Sequence, residues 1–170
     1  MPGYVSGGNK FDLEKWDEAF FERLRSFIQS AEERGIIVEI CFFNAQSDPC
    51  WEVSALNSRN NIQGIGTCHF NDAQTLKDTA LVRIETNYVR KIVQEVKRYD
   101  NVILEISDET TVHGTPADLA AKWTQHMLNV IRDTEKNMAN KHLIAQQVIG
   151  QTHGPGEFSD NKDISVIVSQ

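Results

Sequence analysis

The sequence predicts an α/β fold built on a parallel sheet, and three observations carry the prediction. Four short runs, 36–43, 102–106, 143–149 and 164–168, are almost continuously apolar and rich in Val and Ile. That is the composition of strands buried on both faces. The stretches 17–34, 74–99 and 116–139 instead carry apolar residues at helical spacing. Strands that alternate with amphipathic helices make βαβ units, and their strands run parallel. Right-handed crossovers then place the helices on one side of a closed or curled sheet, or on both sides of an open one.

The elements follow in chain order. Residues 1–10 are Gly-rich and polar, a loop or arm. The helical region that follows, within Asp12 to Gly35, has Asp17 as its N-cap. Its stripe is Phe20, Leu24, Phe27, Ile28 and Ala31, and Gly35 sits where a terminal glycine belongs. Ile36 to Phe43 is the first strand of the sheet. Residues 44–73 show little periodicity, and Pro49, Gly64, Gly66 and several asparagines break any regular element. A loop of about 30 residues is unusual in a compact domain and is often functional. Leu81, Ile84, Tyr88, Ile92 and Val96 form the stripe of the next helix, and Asn101 introduces the strand Val102–Ile106. Thr115 as N-cap, Pro116 at the first helical position and Asp118 in the first turn open the third helix. Its buried face is Leu119, Trp123, Met127, Val130 and Ile131.

Composition narrows the function. A chain of 170 residues with 40 % hydrophobic and 24 % charged residues is globular, and residues 1–170 read as one domain. A net charge of −7 argues against a nucleic-acid partner. No apolar run approaches the ~20 residues that span a membrane. Met1-Pro2-Gly3-Tyr4 begins no secretory signal, so a cytoplasmic location is expected. The three cysteines, Cys41, Cys50 and Cys68, form no CxxC pair and read as thiols in a reducing compartment. Cys41 lies in an apolar run, where a thiol is usually inert. The five histidines show no metal-ligand spacing, so no metal is expected. Gly64-Ile65-Gly66 is too short for a phosphate loop, and no cofactor is expected.

In α/β folds chemistry gathers at the carboxyl ends of parallel strands. Three segments lie there: the loop after Phe43, with Trp51, Glu52, Asn57, Asn60 and Asn61; Asp108-Glu109 beyond the second strand; and the loop after Ile149, with His153 and Glu157. A carboxyl group at a strand end beside a second carboxylate can serve as a proton donor to a leaving oxygen. The same position also suits a solvated acidic turn or the cap of the next helix. Trp51 has the surface to stack on a sugar ring, and equally to plug its loop onto the sheet. Asn60 and Asn61 are candidate amide partners for a ligand beside it.

The residues resemble a known family at two places. Lys10-Phe11-Asp12-Leu13-Glu14-Lys15-Trp16 and then Arg34-Gly35-Ile36-Ile37-Val38-Glu39 resemble the approach to the third barrel strand of cellulase-like retaining glycoside hydrolases. Tyr88-Val89-Arg90-Lys91-Ile92-Val93, followed by Tyr99 to Glu109, resembles their fourth-strand region, which ends in Asn-Glu. The similarity covers 10–110 well and 117–170 more loosely. It implies a partial (β/α)8 TIM-barrel-like fold with about four parallel strands, the third to sixth of the barrel, and three outer helices. It implies a glycosidase for β-linked sugars, of β-glucosidase or cellulase type, acting on an oligosaccharide or β-glycoside. The acid/base role falls on Glu109, and Asp108 takes the place of the sugar-contacting Asn, making these the candidate catalytic residues. Trp51, Asn60 and Asn61 are the candidate substrate contacts. The family's nucleophile, at the end of the seventh strand, is assigned to no residue here; Asp108, Glu52, Glu157 or a symmetry mate could serve. The alternative is a non-catalytic partial barrel that binds carbohydrate, or a gene fragment. Two open sheet edges and an inner face expected to be rich in Val, Ile and Phe lead us to expect a homodimer.

Overall fold

The computed structural model describes residues 2–4, 9–148 and 161–169. It opens with a small antiparallel pair, β1 (Pro2–Tyr4) and β2 (Phe11–Trp16). This corrects the expectation of a loop followed directly by a helical region. Phe11 and Leu13 alternate with Asp12 and Glu14, a period of two that suits a strand and not the helical stripe beginning at Phe20. Helix α1 (Glu18–Glu32) is capped as the sequence predicts: the Asp17 side chain accepts the Phe20 N–H at 3.2 Å. Gly35 follows it at φ +66°, a left-handed turn that glycine makes without a Cβ penalty.

Four parallel strands form the main sheet in sequence order: β3 (Val38–Asn44), β4 (Val102–Asp108), β5 (Leu143–Val148) and β6 (Val166–Ser169). Helices α4 (Thr79–Val96) and α5 (Ala117–Thr134) connect the first three, while α2 (Asp48–Val53) and α3 (Phe70–Ala73) are short turns within the long loop. Helix α4 begins at Thr79 and not at 74, because the Asp78 side chain caps it by accepting the Leu81 N–H at 3.0 Å. Helix α5 is capped one residue later than expected. Pro116 itself takes the N-cap position with extended ψ, and its cap residue makes no side-chain bond.

Register sorts the strands into two faces. Val38 pairs with Val102, and Ile40 with Leu104, which pairs with Ile144. These side chains join the main core with Phe21, Val89, Ile92, Trp123, Met127 and Ile131 from the helices. At ~25 cal/mol per Å² of apolar surface, burying one such side chain contributes about 1.5–3 kcal/mol. The other face carries Glu39, Cys41, Ile103, Glu105, Leu143 and Ala145. This corrects two expectations: β3 is not buried on both faces, and the inner face is mixed and not a Val, Ile and Phe surface. Ile37 and Leu143 are 66 % and 53 % exposed, and Glu39 and Cys41 are exposed too. Among the described residues no helix is long and apolar enough to cross a membrane.

Two polar devices fix the frame. Asn101 donates its amide to the carbonyls of Ile36 (2.9 Å) and Ile28 (3.3 Å), and its own carbonyl accepts the Val38 N–H. It thereby ties the entry of β4 to the end of α1 and the start of β3. At the foot of β5, the fully buried Glu135 accepts from His142 Nδ1 at 2.6 Å, from the His142 N–H at 3.0 Å and from Arg132 at 3.0 Å. Burial works to raise the Glu135 pKa. The hydrogen bonds from His142 and Arg132 outweigh it and hold the carboxyl below its ordinary value. A depressed folded pKa gives stability that is present above the unfolded value and lost as pH falls through the folded one. We therefore predict that Glu135→Gln costs about 3 kcal/mol at pH 7, as for breaking a buried ion pair. In urea titrations the gap to wild type should begin to narrow below about pH 4, the ordinary glutamate range, and close only as pH falls further through the lowered folded pKa.

Candidate functional site

The ends of β3, β4 and β5 meet at one edge of the sheet, and Asp108 and Glu109 stand there, both half-buried. The backbone is pinned on either side. Asn44 is the register partner of Asp108, and the Ala45 N–H donates to the Asp108 carbonyl at 2.9 Å. Gln74 donates to the Asn44 carbonyl at 3.0 Å, anchoring the long loop to the same edge. The Ser107 and Thr110 hydroxyls bond each other across the turn, and the Val112 N–H closes on the Glu109 carbonyl at 3.0 Å. The Glu109 N–H donates to Gln147 Oε1 on β5.

Glu109 has φ +54°, the one positive value among the described non-glycine residues. An L-residue there pays roughly 1–2 kcal/mol for the contact between its Cβ and the following carbonyl. Residues held in such a conformation cluster where a side chain must point a particular way.

On the mixed face of β4, Glu105 is 8 % exposed and is the register partner of Cys41. Burial, with the charges of Glu39 and Asp108, raises its pKa against the hydrogen bond from Cys41. The Cys41 thiol is pushed up to about 12, first by desolvation of the sulfur against the sheet and then by the Glu105 carboxylate. Its Sγ donates to the Phe43 carbonyl at 2.9 Å. That thiol is no nucleophile near neutral pH.

The long loop puts Trp51, Asn60 and Asn61 to a different use from the one expected. Trp51 is 6 % exposed and packs with Ala73, Leu81, Leu56 and Ile65 in a small core of the loop's own. A ring so covered has no free face for a sugar. Asn61 is 1 % exposed, and its amide donates to the carbonyls of Ala55, Asn57 and Ile65 at 2.9–3.1 Å. Asn60 donates to the carbonyls of Glu52 and Ser54. These amides satisfy loop carbonyls that no helix or strand partners, as buried backbone requires. Gly66 completes the loop at φ +85°, where an added Cβ would lie 1.8 Å from the Leu56 carbonyl oxygen. Glu52 is exposed on α2, and His153 and Glu157 lie outside the described residues. None of these residues is brought to Glu109 by a described contact.

Beside the strand ends, a cavity of about 410 Å³ is lined by Phe42, Phe43, Asn44, Ile84, Glu85 and Tyr88, among others. Glu85 is 1 % exposed and accepts the Trp123 indole N–H at 2.9 Å, while Trp123 stacks edge-on against Phe43 with centroids 5.0 Å apart. Burial raises the Glu85 pKa well above the usual carboxylate range, against the hydrogen bond from Trp123. A larger cavity of about 480 Å³ lies at the opposite, amino-terminal end of the strands, around Ile37, Asn101 and His142.

Sequence reading passed over Glu105, Gln147 and Glu85. The first two were visible as polar residues inside apolar strand runs. Glu85 showed no such mark, because one carboxylate on a helix reads as solvent-facing.

Two predictions follow from this geometry. Gly66→Ala destabilises by more than 2 kcal/mol, since neither the left-handed φ nor the Leu56 carbonyl can yield to it cheaply; thermal unfolding measures it. Glu85 has a raised folded pKa, so its stability is present below the unfolded value and lost as pH rises through the folded one. Glu85→Gln keeps an acceptor for Trp123 and removes that loss, so the melting temperature of the variant gains on wild type from pH 5 to pH 9.

The family model for cellulase, glycosyl hydrolase family 5, matches residues 1–165. No curated protein matches the chain. The parallel order β3-β4-β5-β6, with helices described in the first two crossovers, is part of a (β/α)8 barrel, and Glu109 stands at the carboxyl end of its second described strand. The chain therefore belongs to the cellulase family, glycosyl hydrolase family 5.

Proposed function

We propose that this glycoside hydrolase family member cleaves β-linked sugars, in the manner of a cellulase or β-glucosidase, with Glu109 as general acid/base. The observation that carries the reading is the left-handed Glu109, pinned between β4 and β5 at the carboxyl edge of the sheet. Glu109 donates its proton to the glycosidic oxygen as the bond to the anomeric carbon breaks, and later takes a proton from the attacking water. Asp108, its neighbour, accepts a hydrogen bond from a sugar hydroxyl; unlike an amide, an ionised carboxylate cannot also donate one. Substrate contact falls on Asp108 and the strand-end surface around Asn44, since Trp51, Asn60 and Asn61 are engaged within their loop. The second carboxyl of the pair belongs to this proposal: Asp108, Glu52, Glu157 and a second copy of the chain are its candidate sources.

Glu109→Gln tests the reading. Losing a general acid typically costs ~10²- to 10⁴-fold in rate. The expected result is that loss in kcat/KM, which reports the bond-breaking step, on a β-glycoside with a poor leaving group, with far less loss in kcat/KM on a dinitrophenyl glycoside, whose leaving group departs unaided. Near-full activity of the variant on the poor leaving group overturns it. A chain that binds cello-oligosaccharide without turning it over would identify a carbohydrate-binding partial barrel instead. The homodimer belongs to the same proposal, and sedimentation equilibrium at micromolar concentration measures it. A stable, active monomer excludes both the dimer and a site shared between copies.

A further inference from the structure

We propose that Gln147 is the positioning residue of the acid/base: its side-chain oxygen holds the Glu109 N–H and so sets the direction in which the Glu109 carboxyl points. This rests on the reading of Glu109 given above.

The argument is geometric. Glu109 is the first residue beyond β4, and an extended continuation of the strand would carry its side chain along the alternation of the sheet. The chain adopts φ +54° there instead, which swings the Cα–Cβ bond out of that alternation. Something must hold an unfavourable conformation in place. The Val112 N–H bonds the Glu109 carbonyl, but that closes the following turn; the peptide between Asp108 and Glu109 is held from β3 on its carbonyl side, where Asp108 accepts the Ala45 N–H at 2.9 Å, and needs a second partner on its N–H side. The Glu109 N–H belongs to that peptide, and its acceptor is Gln147 Oε1. Gln147 is well placed to be rigid. It is 7 % exposed, it lies on β5 beside β4, and its own carbonyl accepts the Gln146 amide at 2.9 Å. Gln146 also reaches the Ser107 carbonyl and hydroxyl at 3.3 Å, so the two glutamines grip both sides of the Asp108–Glu109 turn. A strand-borne acceptor holds a neighbour more tightly than a loop-borne one.

Gln147→Met keeps the length and removes the acceptor, and Gln147→Glu restores an acceptor oxygen at the same reach. For Gln147→Met we expect kcat on a poor-leaving-group β-glycoside to fall ~10- to 100-fold, the scale of a misplaced catalytic group. KM on that substrate, the melting temperature and kcat/KM on a dinitrophenyl glycoside, whose bond breaking needs no acid, should change little. Gln147→Glu, measured on the plateau of its own pH profile, should recover most of kcat. Amide exchange supplies a readout that needs no turnover: protection at Glu109 should drop at least tenfold in Gln147→Met, while Leu104 and Ile106 stay protected. If Glu109→Gln abolishes activity on the poor leaving group and Gln147→Met leaves it within twofold, the positioning role is wrong and the acid/base reading stands. If Gln147→Met lowers activity on both substrates equally, together with the melting temperature, Gln147 is merely structural. Unchanged protection at Glu109 likewise overturns the proposal. If Glu109→Gln is itself harmless, the acid/base reading fails, and Gln147 has nothing to position.

Discussion

The burial of one face of β4 is the constraint on which the rest depends. Val102, Leu104 and Ile106 are all 3 % exposed or less, packed beneath α4 and α5. A one-residue slip of this strand would turn those side chains to the other face and bring Ile103, Glu105 and Ser107 into the core. The cost of moving the Glu105 carboxylate from the mixed face into the apolar core forbids the slip. With the register fixed, the residue at which β4 runs out is fixed too, and that residue is Asp108, followed by Glu109. The site is thus placed by core packing well below it.

The same economy governs the polar groups. Asn101, Asn61 and Gln147 are chemically similar side chains at three unlike places, and each meets backbone groups that regular structure leaves unpaired. At Asn101 the result is a joined sheet entry, at Asn61 a loop folded on itself, and at Gln147 a held turn. The buried carboxyls divide in a parallel way. Glu135 is surrounded by donors that favour its charged form; Glu85 meets a single indole N–H in apolar surroundings that favour its protonated form.

The strands were legible because Val102–Ile106 and its counterparts are short, apolar and rich in Val and Ile, although β3 buries only one of its faces, and the helices because Phe20–Ala31 and Leu81–Val96 keep their spacing. Strand β2 was not, since Phe11-Asp12-Leu13-Glu14 is short and runs straight into a stronger helical signal. Glu109 could be named as a candidate because the place where an apolar strand run ends is legible in the sequence. The sequence points Trp51, Asn60 and Asn61 at a ligand and the structure places them in the loop, because an aromatic ring or an amide in a long loop suits a ligand and the loop's own interior equally well. Only the contacts decide between them, and those depend on residues such as Gly66 and Leu81, far along the chain. Gln147 was hidden by being read as part of a strand and not as the end of one.

The central claim is that Glu109 protonates the glycosidic oxygen from the carboxyl edge of the sheet. The most direct measurement is a crystal structure of the protein with a thio-linked β-oligosaccharide, in which sulfur replaces the scissile oxygen and resists cleavage. The account predicts that sulfur within about 3.5 Å of a Glu109 carboxyl oxygen, with a sugar hydroxyl on Asp108, the separation a proton transfer needs once the longer sulfur contact is allowed for. A sugar chain bound in the cavity around Ile37 and His142, or at the strand ends with Glu109 turned away from the linkage, would contradict it.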